Sequence, residues 1–336
     1  MLGVENAISV KKLSKHFGEL KAVDGISFDV KEGEIFGLLG PNGAGKTTTI
    51  KMLTTLIPPS SGTAIVAGYG IMVNQKEVRK RIGIIFQDPS LDDELTGWEN
   101  LEFHAILYNI GKKKRTEKIK EVLDLVELLD KKDVLVKDYS GGMKRRLEIA
   151  RGLIHEPAIL FLDEPTVGLD PQTRRKIWDY IKKLNERHGT TVILTTHYIE
   201  EADYLCSRVA FVDHGKLVAL DTPSKLKDRL GGDVISVQIT SNAERYEKVM
   251  KKHSWVKTTA MHGDVVALTV KDGDKKIPEI VDIARKGGFD IGSISLRKPS
   301  LEDVFIYHTG NAIREESGEG MRGVMRRARA RMGSRR

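Results

Sequence analysis

From Ile8 to about Leu230, short apolar runs of strand length alternate with segments whose apolar positions recur at helical spacing. That alternation is the pattern of an α/β domain built on a largely buried sheet. Glu34–Leu39 (EIFGLL), Ile82–Phe86 (IGIIF), Ala158–Leu162 (AILFL) and Thr191–Thr195 (TVILT) are apolar on both faces, as buried parallel strands are. The periodicity predicts helices over Gly45–Leu56, Trp98–Tyr108, Arg115–Leu129, Gly142–Ile154 and Pro171–Arg187. The stretch from about Asp88 to Glu156 is mostly helical with no convincing strand, so it reads as a helical lobe inserted into the α/β core. Arg208–Asp221 holds two β-rich runs around His214-Gly215, a hairpin signal, and Pro223–Leu230 reads as a short helix.

Gly231-Gly232 marks a boundary, which places a first domain at residues 5–230 and a second at 232–310. In the second, Val234–Thr240, Trp255–Met261, Val265–Val270 and Ile291–Arg297 read as strands, and Ala243–His253 and Ile277–Lys286 as helices. The order βαββαβ predicts a small α+β ferredoxin-like unit. A last helix is expected over Ser300–Tyr307, with Pro299 at its entrance and Gly310 beyond its end. The ferredoxin-like unit shows no converging site, so a packing or dimer-stabilising role is at least as good a reading as binding of a regulatory ligand.

Composition adds limits. The 336 residues suit two domains and a sizeable core, and the single cysteine, Cys206, excludes an intrachain disulfide and any Cys-based metal cluster. Met1–Val10 has no signal-peptide pattern, and the longest uncharged stretch, Met52–Gln75, is broken by Pro58-Pro59-Ser60-Ser61-Gly62. A cytoplasmic chain without a membrane span is expected. The formal charge of +8 invites a nucleic-acid reading, but seven arginines lie in the last 15 residues, and residues 1–321 carry only +1. Met321, Val324, Met325, Ala328 and Met332 recur at helical spacing among those arginines, which would suit weak contact with anionic lipid. Gly318, Gly320, Gly323 and Gly333 favour a disordered, solvated tail over 311–336.

The chemistry is carried by carboxylates and a glycine-rich loop. Gly40–Thr47 reads GPNGAGKT, the G-x-x-x-x-G-K-[ST] pattern, between an apolar strand and a helix start. Gly40, Gly43 and Gly45 let backbone N–H groups curl around phosphate, Lys46 reaches the β- and γ-phosphates, and the Thr47 hydroxyl suits Mg²⁺. At the end of ILFLDE, Asp163 is placed to hold Mg²⁺ and Glu164 to polarise the water attacking a γ-phosphate. Gln87 closes the strand IGIIFQ, where its amide could touch the metal shell and the attacking water, and His197 closes TVILTTH, where its imidazole could meet the γ-phosphate. Ser140-Gly141-Gly142 before a helix makes a second anion site. Taken singly, each of these last features is also what an ordinary strand end or helix cap looks like.

In this order, the motifs resemble those of the nucleotide-binding subunit of ATP-binding-cassette transporters, over essentially all of residues 5–230. The resemblance implies a RecA-like P-loop core that binds MgATP. By it, Gly40–Thr47 is the Walker A loop, Asn42 and Thr48 join its nucleotide contacts, and Gln87 is the Q-loop glutamine. Ser140–Met143 is then the signature, Asp163 and Glu164 the Walker B pair, Asp170 the D-loop aspartate, His197 the switch histidine and Phe17 the ring that stacks on adenine. Two cassettes would pair head to tail as a homodimer, with Ser140 and Gly142 of one copy on the ATP of the other, and drive a separately encoded permease at the cytoplasmic face of a membrane. The signature is YSGGM where LSGGQ is commoner, and Phe17 stands where tyrosine is usual, but the Ser-Gly-Gly core and a ring face are both kept. DDELTGWENL (Asp92–Leu101), YSGGMKRRLEIARGL and KPSLEDVFIYHTG (Lys298–Gly310) are similar to the drug-resistance exporter branch typified by daunorubicin-resistance ATPases. A cassette ATPase acting on nucleic acid or the ribosome is the alternative. Against it, the span between Lys46 and Ser140 is too short for a long coiled coil, and the chain has one phosphate loop, not two. A degenerate, scaffold-only cassette is disfavoured because Lys46, Asp163, Glu164 and His197 are all present.

Overall fold

The first described elements are two long strands, β1 (Asn6–Phe17) and β2 (Leu20–Lys31), which pair antiparallel across the turn at Gly18. The sequence did not announce them as strands, because the period-2 pattern is interrupted: Lys12 adopts φ 48°, and register shifts fall between Val10 and Leu13 and again around Lys15. β3 (Ile35–Leu39) then leads into the glycine-rich loop and α1 (Lys46–Leu53). This helix is shorter than predicted at both ends. Gly45 sits at φ 102° as its N-cap, and beyond its end Thr55 turns left-handed at φ 63°. β4 (Ser61–Val66) and β5 (Tyr69–Gly70) complete an antiparallel sheet in the order β2-β1-β4-β5.

After α2 (Gln75–Arg81) and β6 (Ile82–Ile85), the chain leaves for the helical lobe: α3 (Gly97–Leu107), α4 (Lys112–Leu125) and α5 (Gly141–Leu153). A capping box starts α3, with the Thr96 hydroxyl accepting from Glu99 N at 3.1 Å and the Glu99 carboxylate accepting from Thr96 N at 2.8 Å. α4 ends at Leu125 instead of continuing to Leu129, because Glu127 adopts φ 56° and Leu129–Lys131 tightens into a 3₁₀ turn. The chain re-enters the core at β7 (Ile159–Asp163), followed by α6 (Pro171–His188), β8 (Thr191–Thr196), α7 (Ile199–Leu205) and a hairpin of β9 (Arg208–Asp213) and β10 (Lys216–Asp221). His214 and Gly215 both have positive φ, 45° and 75°, as a two-residue hairpin turn requires.

The central sheet has the order β10-β9-β3-β8-β7-β6, parallel except for the edge strand β10. Its pleat sends alternate residues into two cores. Phe36, Leu38, Phe161 and Ile193 face α1 and the antiparallel sheet, while Leu39, Leu160, Leu162, Val192 and Leu194 face the helices. Phe28 of β2 stacks on Phe36 with ring centroids 5.3 Å apart, locking one sheet to the other. β3, β6, β7 and β8 all end on one edge, and ligands of open α/β sheets bind beyond the carboxyl ends of their strands.

α8 (Pro223–Leu230) closes at Gly231, which caps it in the left-handed conformation at φ 68°. There follow β11 (Asp233–Ile239), α9 (Ala243–Met250), β12 (Val256–His262), β13 (Val265–Val270), α10 (Gly273–Gly287) and β14 (Ile291–Arg297). The strand order β12-β13-β11-β14, antiparallel throughout, is the ferredoxin-like one, with Tyr246, Leu268, Ile280 and Phe289 in a core of its own. α10 starts at Gly273, ahead of the expected Ile277, and carries Pro278 inside it. The last helix, α11 (Leu301–Thr309), does not stay with this unit: Leu301, Val304 and Phe305 join the helix-side core of the first one, Phe305 lying 5.6 Å from Phe211 between ring centroids.

The computed structural model describes residues 6–87 and 90–309. The arginine-rich tail, with its expected disorder and lipid contact, lies outside them. No described helix is long and apolar enough to cross a membrane.

Candidate active site

The loop after β3 is shaped by what it must pass. A Cβ on Gly40 would lie 2.1 Å from the carbonyl oxygen of Val212, and one on Gly45 would lie 2.3 Å from that of Ala22. Only glycine lets the loop run between those backbones, and Gly45 also needs its positive φ. The loop is pinned from the hairpin side, where Gly215 N donates to Ala44 O at 3.0 Å. Gly45, the N-cap of α1, has no side chain to cap it, which leaves the first N–H groups of the helix for a ligand.

Lys46 is buried, and its ammonium donates to Gly40 O at 2.8 Å and Pro41 O at 3.1 Å while standing 3.2 Å from a Glu164 carboxylate oxygen. Thr47 Oγ1 donates to Asp163 Oδ1 at 3.0 Å. The same Asp163 oxygen accepts from Thr195 Oγ1 at 2.6 Å. β8 lies between β3 and β7, so its Thr195 occupies the gap between the phosphate loop and the acid pair. Sequence reading missed Thr195; a hydroxyl two residues before His197, on a strand next to the acid-bearing one, was the available signal.

Glu164 adopts φ 50°, an uncommon conformation for a residue with a side chain, and its N–H is held by Thr195, to Oγ1 at 3.0 Å and to O at 3.2 Å. Its carboxylate meets His197 Nδ1 at 2.5 Å. Burial pushes the Glu164 carboxyl up, but the His197 hydrogen bond and the Lys46 charge outweigh it and hold the group below its ordinary range. Glu164 is therefore a carboxylate that accepts, and Nδ1 of His197 carries the proton. Among the described residues, no group of three or more His, Cys, Asp or Glu could hold a metal alone. Thr47 and Asp163 are nonetheless hard oxygen donors in contact, as Mg²⁺ sites completed by substrate phosphates require.

Lys46, Thr47 and Glu164 open into a cleft of about 490 Å³. Asn42, Gly43, Gly45 and Thr48 line it on the loop side, and Gln87, exposed beyond the end of β6, lines it as well. Phe17 lines its rim with a ring that is 51% exposed, beside Leu20 and Lys21. His214 of the hairpin turn also faces this cleft and was not predicted.

Gly40, Asp163 and His197 stand behind the lining, in contact with Lys46, Thr47 and Glu164, whereas Ser140, Gly142 and Asp170 are not brought to this cleft. Ser140 caps α5 by accepting from Met143 N at 3.2 Å, and Gly142 packs against Thr173, where a Cβ would come within 2.5 Å. Asp170 caps α6, with Oδ1 accepting from Gln172 N at 3.1 Å and Thr173 N at 3.0 Å. Within one copy these groups form a second surface with its own helix N-termini.

A glycine-rich loop on a parallel sheet, two carboxylates at the end of the next strand but one, and an inserted helical lobe define a P-loop ATPase of the cassette type. The ABC transporter family model matches residues 23–167, and the model of the DrrA1-3-like ATP-binding protein C-terminal domain matches residues 222–309. The chain is 42% identical to daunorubicin resistance ATP-binding protein DrrA2 of Streptomyces coeruleorubidus, over 91% of this chain and 95% of that protein. It is 36% identical to linearmycin resistance ATP-binding protein LnrL of Bacillus subtilis, over 92% of this chain and all of that protein. Among solved structures, the ADP- and phosphate-bound dimer of the ATP-binding cassette MJ0796 superposes with a TM-score of 0.58 at 30% identity, covering 64% of this chain and 98% of that one. The chain belongs to the ATP-binding subunits of ABC transporters, in the branch of the daunorubicin-resistance proteins. It is the ATP-hydrolysing subunit of an ABC exporter, and nothing in these likenesses favours the nucleic-acid alternative.

Proposed function

We propose that Glu164 is the base that activates the attacking water, and that Lys46 and His197 switch partners when ATP enters the cleft. The observation that carries this is the contact of both groups with the same buried carboxylate, at 3.2 and 2.5 Å. A γ-phosphate competes for both donors. As they turn to it, Glu164 loses the interactions that hold its pKa down, and burial then makes it a stronger base. Thr47, Asp163 and the Gln87 amide would hold Mg²⁺, which would supply charge neutralisation on the phosphates when bound. Phe17 stacks on adenine, with Gly40, Asn42, Gly43, Gly45 and Thr48 along the phosphates. Ser140, Gly142 and Asp170 act on the ATP held by the second copy, which accounts for their distance from the cleft of their own chain.

We also propose a cassette over residues 5–230, a ferredoxin-like unit over 232–310 whose last helix leans on the cassette, and a basic tail. The protein works at the cytoplasmic face of a membrane, exporting a compound of the antibiotic kind named for its relatives. Substrate selection falls to the membrane subunit, and the 490 Å³ cleft serves nucleotide. Phe103, Ile106 and Leu107 form an exposed i, i+3, i+4 stripe on α3, 61%, 50% and 62% accessible, which suits docking to that subunit. Ile106→Glu is expected to abolish co-purification with a roughly six-helix membrane protein encoded beside this chain while leaving basal ATP hydrolysis unchanged; retention of the complex would exclude this face. Removing residues 322–336 is expected to leave hydrolysis intact and to weaken attachment to anionic vesicles, seven arginines contributing about 1 kcal/mol each near such a surface. Flotation with and without the tail measures this, and a loss of ATPase activity would place the tail in the engine instead.

A further inference from the structure

One buried side chain joins both surfaces described above. Arg145 lies on α5, five residues after Ser140, and is 7% exposed. Its Nε donates to Pro165 O at 2.6 Å, and its Nη2 reaches Asp163 O at 3.4 Å and Glu164 O at 3.3 Å. Nη1 donates to Phe86 O at 2.7 Å, the carbonyl immediately before Gln87, and to Glu148 at 2.8 Å. Glu148 accepts in turn from Ser90 N at 2.8 Å, and Arg151 donates to Ser90 O at 2.8 Å. The exits of β6 and β7 are thus both tied to one helix, the helix whose N-terminus is Ser140.

The position of these contacts gives them their meaning. Glu164 holds its left-handed backbone only because its surroundings over-determine it. Thr195 secures its N–H side, and Arg145 secures the carbonyls on either side of its Cα and the one beyond. A planar guanidinium with five donors can hold three successive carbonyls and a fourth from another strand; an ammonium of the same charge cannot. Arg145 does not itself line the cleft and reaches Glu164 only through backbone carbonyls, so it is a positioning residue.

We propose that Arg145 fixes the Glu164 carboxylate in its hydrolytic position relative to α5, so that seating Ser140 on the ATP of the second copy sets the base. This rests on the reading of Glu164 as base and Ser140 as a contact made across the dimer.

The test compares Arg145→Lys, Glu148→Gln and Glu164→Gln in the full chain, with turnover expressed per ATP-binding-competent molecule. Arg145→Lys is expected to lower kcat about 10- to 100-fold with the ATP KM within about twofold of the parent, and to accumulate an ATP-bound dimer as Glu164→Gln does. Glu148→Gln, which takes the negative partner from the guanidinium while keeping one acceptor oxygen, is expected to lower kcat less, about threefold, in the same pattern. A purely structural arginine would reduce the competent fraction and leave kcat per competent molecule unchanged. That result, or parallel losses in kcat and ATP affinity, would overturn the proposal, as would unimpaired turnover in both Arg145→Lys and Glu148→Gln beside an inactive Glu164→Gln. Normal turnover in Glu164→Gln would remove the base itself, and the inference with it.

Discussion

Glu164→Gln is expected to bind ATP with near-normal affinity, to lose steady-state hydrolysis by a factor of about 10² to 10⁴, and to collect as an ATP-bound dimer. The amide keeps the volume of the buried side chain and can still meet His197, so folding and nucleotide access are preserved. It cannot take a proton from water. Hydrolysis reopens a cassette pair in this account, so a pair that cannot hydrolyse stays shut. Size-exclusion chromatography with ATP and then with ADP checks this: a dimer with the first and a monomer with the second. Full turnover would remove Glu164 as the base.

Lys46→Ala should fail earlier, at binding. Its ammonium is a buried cation at the phosphate loop and in the cleft lining, and charge-assisted hydrogen bonds contribute about 1.5–3 kcal/mol each, so ATP affinity should fall about 10- to 100-fold or more. A second effect follows from the 3.2 Å contact with Glu164: the substitution leaves that buried carboxylate without its cation, and its pKa should rise. Titration calorimetry with ATP measures the first effect. An unchanged dissociation constant would contradict the phosphate-loop reading.

The parallel core and its chemistry were legible because they are local. Gly40–Thr47, Asp163-Glu164 and His197 each close an apolar strand, and parallel strands aligned at one edge bring their ends together without further information. The opening antiparallel sheet was not legible, since Lys12 and the register shifts of β1 scramble the alternation that marks a strand. Nor was Thr195, whose importance arises only from β8 lying between β3 and β7 in the sheet order. Arg145 was hidden for the same reason: inside KRR it looks like one charge of a solvated helix face, and only tertiary packing buries it against four carbonyls. The return of α11 to the first unit depends on Phe211 and Phe305 meeting across almost a hundred residues, which no local pattern encodes.

Each ATP is expected to be hydrolysed between the loop of one copy and the α5 N-terminus of another. Lys46→Ala removes the loop half. Ser140→Asp removes the other, because aspartate caps α5 as well as serine does but repels a phosphate. Each variant should be inactive alone. Mixed in equal amounts, half of the dimers are heterodimers with one intact site, so phosphate release should recover to about a quarter of the parent rate. No recovery from folded, heterodimerising variants, or full activity in Ser140→Asp alone, would contradict the shared site.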